Sequence, residues 1–156
     1  MGINCQMVIE DDCTGMDESV YIHRFWGGEP SNFLIELLPA LSKMEFRHHE
    51  QGMNSVTLLH HLLKRFKNKY PVNGDIIYSV ISYMDPENDY FYLITENDLT
   101  VFTVSPNTED ASTAFEDYNL IKIGYINSSR YLEVYNLLKK AQINPEDIDF
   151  NYFEFL

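Results

Sequence analysis

Gly27-Gly28-Glu29-Pro30 divides the early part of this chain into two segments that cannot share one secondary structure. Ahead of it, Ser19–Trp26 (SVYIHRFW) is rich in β-branched and aromatic residues. Behind it, Leu34, Leu37, Leu38 and Leu41 recur at helical spacing. Two glycines permit positive φ and Pro30 cannot donate to a ladder, so a strand must stop here and a helix can begin. Ser31 or Asn32 is the expected cap, and Pro39 predicts either a kink or a restart of the helix. The whole unit, Ser19–Ser42, is the natural organiser of the fold.

The flanking segments extend the same grammar. Ile3–Glu10 is β-rich and is separated from Ser19–Trp26 by a polar turn, which predicts an opening antiparallel hairpin. After a polar connection over Lys43–Met53, Asn54 or Ser55 should cap a second helix reaching about Asn68, with Leu59, Leu62, Leu63 and Phe66 as its apolar stripe. Three β-rich runs follow, Asp75–Met84, Asp89–Thr95 and Leu99–Val104. Their separators, Pro86-Glu87-Asn88 and Glu96-Asn97-Asp98, are short enough to predict an antiparallel meander. A further strand is expected at Asn119–Ile126 and a third helix over Ser128–Ala141, with Tyr131, Val134, Tyr135 and Leu138 on one face. Asn144-Pro145-Glu146-Asp147 should form a short helical turn. The prediction is therefore an α+β domain spanning residues 1–156: an antiparallel sheet of five or six strands with about three helices packed mainly on one face.

A chain of 156 residues with 45% hydrophobic residues, ten Phe and eleven Tyr can build a core without staples. No apolar run is long enough to span a bilayer, and the N-terminus lacks the pattern of a secretory signal, so a cytoplasmic, host-cell location is expected. The two cysteines, Cys5 and Cys13, read as free thiols.

Catalytic signatures are absent from the sequence. His48-His49-Glu50 and His60-His61 match no standard ligand spacing, because adjacent helical residues diverge by about 100°. There is no GxSxG elbow, and Trp26-Gly27-Gly28 lacks the remaining elements of a phosphate loop. No catalytic residue, metal or cofactor is therefore expected. A small hydrolase or nuclease using His48, His49 or His60 with nearby carboxylates is the alternative from that class.

Charge distribution is less ordinary. Net charge is −13, from 24 acids and 11 bases, which opposes direct binding to nucleic acid. From Tyr70 through Ile121 there are ten acids and no Lys or Arg. Asp85, Glu87, Asp89, Glu96, Asp98, Glu109, Asp110, Glu116 and Asp117 fall mostly in turns, which predicts one strongly negative rim of the sheet. Turns also use Asp for local hydrogen bonds. Read functionally, the rim would dock a basic protein partner, with the C-terminal aromatics, Tyr152 and Phe153 among them, as anchors or as a strand on the chain's own sheet.

Around the opening unit, Arg24, Trp26, Gly28 and Pro30 occupy the Arg, Trp, Gly and Pro of a Tyr-Arg-His-Trp-Asp-Gly-Tyr-Pro pattern, while His23, Phe25, Gly27 and Glu29 depart from it. Through about Pro106 the chain resembles a family of small phage and prophage accessory proteins. That resemblance implies an inhibitor of host defence, anti-CRISPR-like, whose partner is a CRISPR effector or nuclease. An immunity protein neutralising a nuclease toxin is the alternative. Arg24 is expected to satisfy the turn and Trp26 to lie in the core.

Overall fold

The computed structural model describes residues 3–10, 20–47, 53–69, 77–85, 87–106 and 118–143. They form β1 (Cys5–Ile9), β2 (Tyr21–Arg24), α1 (Pro30–Ser42), α2 (Met53–Lys69), β3 (Tyr78–Ile81), β4 (Tyr90–Ile94), β5 (Asp98–Pro106), β6 (Tyr118–Asn127) and α3 (Tyr131–Ile143), the last entered through a 3-10 turn at Ser128–Arg130. The architecture is α+β. A six-stranded sheet in the order β3-β2-β1-β4-β5-β6 carries three helices among the described residues.

The opening hairpin is antiparallel, with Cys5 opposite Arg24. β4 and β5 pair antiparallel as their short turn requires, and β6 pairs antiparallel with β5. The connection between β3 and β4 is not a hairpin, which corrects the meander expected there. β2 and β1 lie between these strands, and β1 pairs with β4 in parallel. Strand β3 ends beside Tyr21 whereas β4 begins beside Cys5, so the connection travels back along the full strand length. A short link therefore does not imply neighbouring strands when it lies flat across a face.

Strand alternation explains how that crossing is held. Cys5, Met7 and Ile9 face the main core beneath the helices, whereas Val8 packs on the other face with Tyr21, Met84 and Phe91. Gln6, fully buried, donates from Nε2 to the Tyr83 carbonyl (3.2 Å) and accepts the Asp85 N–H on Oε1 (2.8 Å). Both ends of a buried amide are thereby satisfied, and the crossing chain is fastened to β1.

Helix α1 lies between α2 and α3 and over the sheet. Phe33, Leu34, Leu37 and Leu38 are buried to 1% exposure or less, each contributing roughly 1.5–3 kcal/mol of transfer free energy. Its cap differs from expectation. Glu29 is the N-cap residue and Pro30 begins the helix, where its fixed φ is suited and its missing N–H costs nothing. The helix runs unbroken through buried Pro39. Asn54 does not cap α2. Its buried side chain accepts the Arg47 N–H (2.8 Å) and donates to the Arg47 carbonyl (2.9 Å), tying the preceding segment to the helix. Leu58 and Leu62 are the buried stripe of α2, and Leu63 is exposed. On α3, Tyr131, Val134 and Leu138 are buried as the spacing predicts.

Candidate functional site

One end of the sheet is built around a buried charge. The register places Arg24 opposite Cys5 and Tyr78, and α1 brings Glu36 over it. Arg24 Nη1 donates to the Tyr78 hydroxyl (2.6 Å) and pairs with the Glu36 carboxylate, while Nε donates to the Trp26 carbonyl (2.8 Å). Its guanidinium sits 4.8 Å from the Phe33 ring centroid. A cation with 3% exposure is tolerable only with such partners.

The two glycines make the cluster possible. Gly27 has φ 65°, a left-handed conformation that disfavours side chains, and a Cβ there would come within 3.0 Å of Arg24 Nη2. A Cβ on Gly28 would lie 2.8 Å from the Asn4 carbonyl carbon and 2.9 Å from Cys5 N. Gly28 N–H donates to the Ile3 carbonyl (2.9 Å), and its own carbonyl accepts from the Tyr92 hydroxyl (2.7 Å). Burial pushes the Cys5 thiol and the Tyr78 phenol upward, against the opposing pull of Arg24, so both stay protonated at neutral pH. No member of the cluster reaches a solvent-borne substrate. Arg24 serves the turn as the sequence suggests, through its Nε bond to the Trp26 carbonyl.

Trp26 does not lie in the core. It is 38% exposed, and Phe25 and Ile3, at the same end of the sheet, are 47% and 42% exposed. The reason is local: β2 ends at Arg24, Phe25 makes one last backbone bond to Ile77 (3.0 Å), and the guanidinium occupies the space behind. His23, 6% exposed, meets Phe25 edge-on with ring centroids 4.7 Å apart. Burial lowers the His23 pKa, with Asp85 acting in the opposite direction.

The same end collects three of the expected acids. Asp89 N–H donates to Asn4 Oδ1 and Asn4 N–H to Asp89 Oδ2, each at 3.0 Å, which places this carboxylate one residue from Ile3. Glu87 is exposed, and its N–H donates to the half-buried Asp85 carboxylate (2.9 Å). Glu96 and Asp98 are at the other end of β4, so the single negative rim does not form as expected. Asp98 is occupied locally, accepting from Thr95 Oγ1 (2.7 Å) and the Tyr125 hydroxyl (3.0 Å). Glu109, Asp110, Glu116, Asp117, Tyr152 and Phe153 lie outside the described residues, although the strand ends flanking the first four, Pro106 and Tyr118, are at the Asp89 end.

At the Glu96 end an open cleft of about 600 Å³ lies between the end of α1, the segment after it, the β4–β5 turn and the start of α3. No sequence signal marks it, because its walls come from four separated segments.

His48 and His49 lie outside the described residues. His60 is exposed and His61 half-buried on α2, with ring centroids 5.8 Å apart. Burial and then neighbouring cations lower the His61 pKa. Among the described residues no group of three or more His, Cys, Asp or Glu side chains converges on a point that could hold a metal ion. No described helix is long and apolar enough to cross a membrane.

No protein-family model, curated protein or solved structure matches the chain.

Proposed function

We propose that this protein is a non-enzymatic binding module that docks a basic protein through the sheet end bearing Ile3, Phe25, Trp26, Glu87 and Asp89. The observation that carries this reading is that half-exposed aromatic side chains and exposed carboxylates occur at one and the same end of the sheet, where Arg24, Gly28 and Tyr92 tie β2, β4 and α1 together. Aromatic anchors flanked by charge are the residue types that dominate binding energy at interfaces. A net charge of −13 steers such a surface toward a basic partner and away from nucleic acid. The partner chemistry that fits best is the phosphate-binding groove of a protein that handles nucleic acid, which the module would occlude. A CRISPR effector and a nuclease toxin both present that chemistry.

Affinity capture with the full chain tests this reading. A basic protein should be retained, released by salt, and lost when Phe25 and Trp26 are both changed to Ala in a variant that melts as wild type does. Retention indifferent to those substitutions and to ionic strength would refute it. A hydrolytic activity abolished by His60→Ala would favour the enzyme instead.

A further inference from the structure

We infer that His23 is a proton-operated latch on the Phe25 side chain, holding that ring when neutral and releasing it when the imidazolium turns toward Asp85. Control of the aromatic surface by this latch rests on the docking reading above, whereas the latch itself is a property of the free chain.

The geometry around His23 leaves its buried nitrogen without a partner. His23 lies two residues from Tyr21 on the sheet face away from the helices, opposite Gln6 of β1 and Ser79 of β3. It is buried, its ring meets Phe25 edge-on, and Nδ1 has no hydrogen-bond partner. A neutral imidazole can leave one nitrogen as an unused acceptor. An imidazolium carries an N–H at both positions, and a buried donor needs an acceptor. Gln6 is engaged at both ends of its amide, with Tyr83 and Asp85. Ser79 carries no charge, and Arg24, the next residue on β2, faces the helices and is paired with Glu36. Among the described residues the carboxylate acting on His23 is that of Asp85, from the crossing segment. Its Oδ1 accepts the Glu87 N–H (2.9 Å), but a carboxylate has capacity for further bonds.

Proton uptake therefore asks the ring to leave Phe25 for Asp85. The backbone has no reason to follow. Phe25 N–H is fixed to the Ile77 carbonyl (3.0 Å) and the Trp26 carbonyl to Arg24 Nε (2.8 Å), neither of which involves His23. Only the Phe25 side chain, 47% exposed, is set free. Because burial outweighs Asp85, the change falls below the ordinary histidine value of 6.5. At neutral pH the latch is closed and the anchor is ordered.

The test is a titration of the isotope-labelled full chain from about pH 7.5 to about pH 5, followed through aromatic carbon–proton signals and backbone amides. His23 should titrate below 6.5, and the Phe25 ring signals should move with the same midpoint while the Phe25 amide stays in place. Asp85→Asn should lower that midpoint further. His23→Leu, its fold checked by melting, should abolish the Phe25 response, and if it does not fold, Asp85→Asn carries the test. His61→Asn should leave the response intact. A Phe25 ring indifferent to the His23 transition would overturn the latch. So would a midpoint at or above 6.5, meaning that the imidazolium is held on Phe25 as a cation–π partner, or a Phe25 amide that moves with the ring, meaning that the strand end opens as a whole. None of these results decides whether the surface docks a basic protein at neutral pH, which affinity capture reads separately.

Discussion

The two ends of the sheet are both acidic, yet they are made in opposite ways. At the Asn4 end, a buried ion pair, two glycines and a tyrosine hydroxyl lock three strands and α1 together, and the exposed aromatics ride on that locked base. At the Asn97 end, the turn satisfies its own polar groups through Thr95, Asp98 and Tyr125, and the neighbouring elements leave a cleft. The lesson is that acidity alone does not define a surface. What lies beneath it decides whether it is a convex anchor or the wall of a cleft, and the two ends should respond differently to substitution.

The largest effect should come from Arg24→Met. It removes the buried cation paired with the Glu36 carboxylate and should cost about 3–5 kcal/mol in denaturant melts. By contrast Glu45→Gln, at the exposed end, should change stability by no more than about 0.5 kcal/mol. If the two variants melted alike, the contrast between a locked and an open end would be wrong. Gly28→Ala comes next, because its Cβ would meet the Asn4 and Cys5 backbone, which cannot yield as a flexible side chain can. About 1–3 kcal/mol of destabilisation is expected. Tyr92→Phe removes only the hydroxyl bond to Gly28 and should cost about 1 kcal/mol, so an effect equal to that of Arg24→Met would mean that the turn is fixed mainly by Tyr92.

The smallest effect is a pH dependence. Burial holds the folded-state pKa of His23 below its ordinary 6.5, so the unfolded chain binds the proton more readily. The contribution of His23 is complete above that ordinary value and is lost as pH falls from it toward the lowered one. His23→Leu should flatten this part of the stability profile. Asp85, from the crossing segment, limits the shift, and Asp85→Asn should steepen the profile.

Much of this was legible in the residues. Helix α1 and the β4–β5 hairpin follow from periodicity and from the turn chemistry at Glu96-Asn97-Asp98. The breaker at Gly27-Gly28 was readable because glycine there answers a steric demand, visible now as the contacts a Cβ would make. The β3 to β4 crossing was not legible, since a link of given length can turn tightly or lie flat. Gln6, which selects the second outcome, is an ordinary polar residue until Tyr83 and Asp85 are brought to it. Trp26 misled for a related reason. A large aromatic is expected inside, but the neighbouring arginine with three partners had the stronger claim to the buried place. The cleft needed four separated segments to exist, and nothing local encodes it.

Hydrogen exchange on the captured complex tests the central claim most directly. If the Asn4 end is the docking surface, amides at residues 3–4, 25–29 and 87–89 should be protected by the partner while those of α2 are unchanged. Protection confined to α2 or to the outer edge of β6, with Phe25 and Trp26 exchanging as in the free protein, would contradict it.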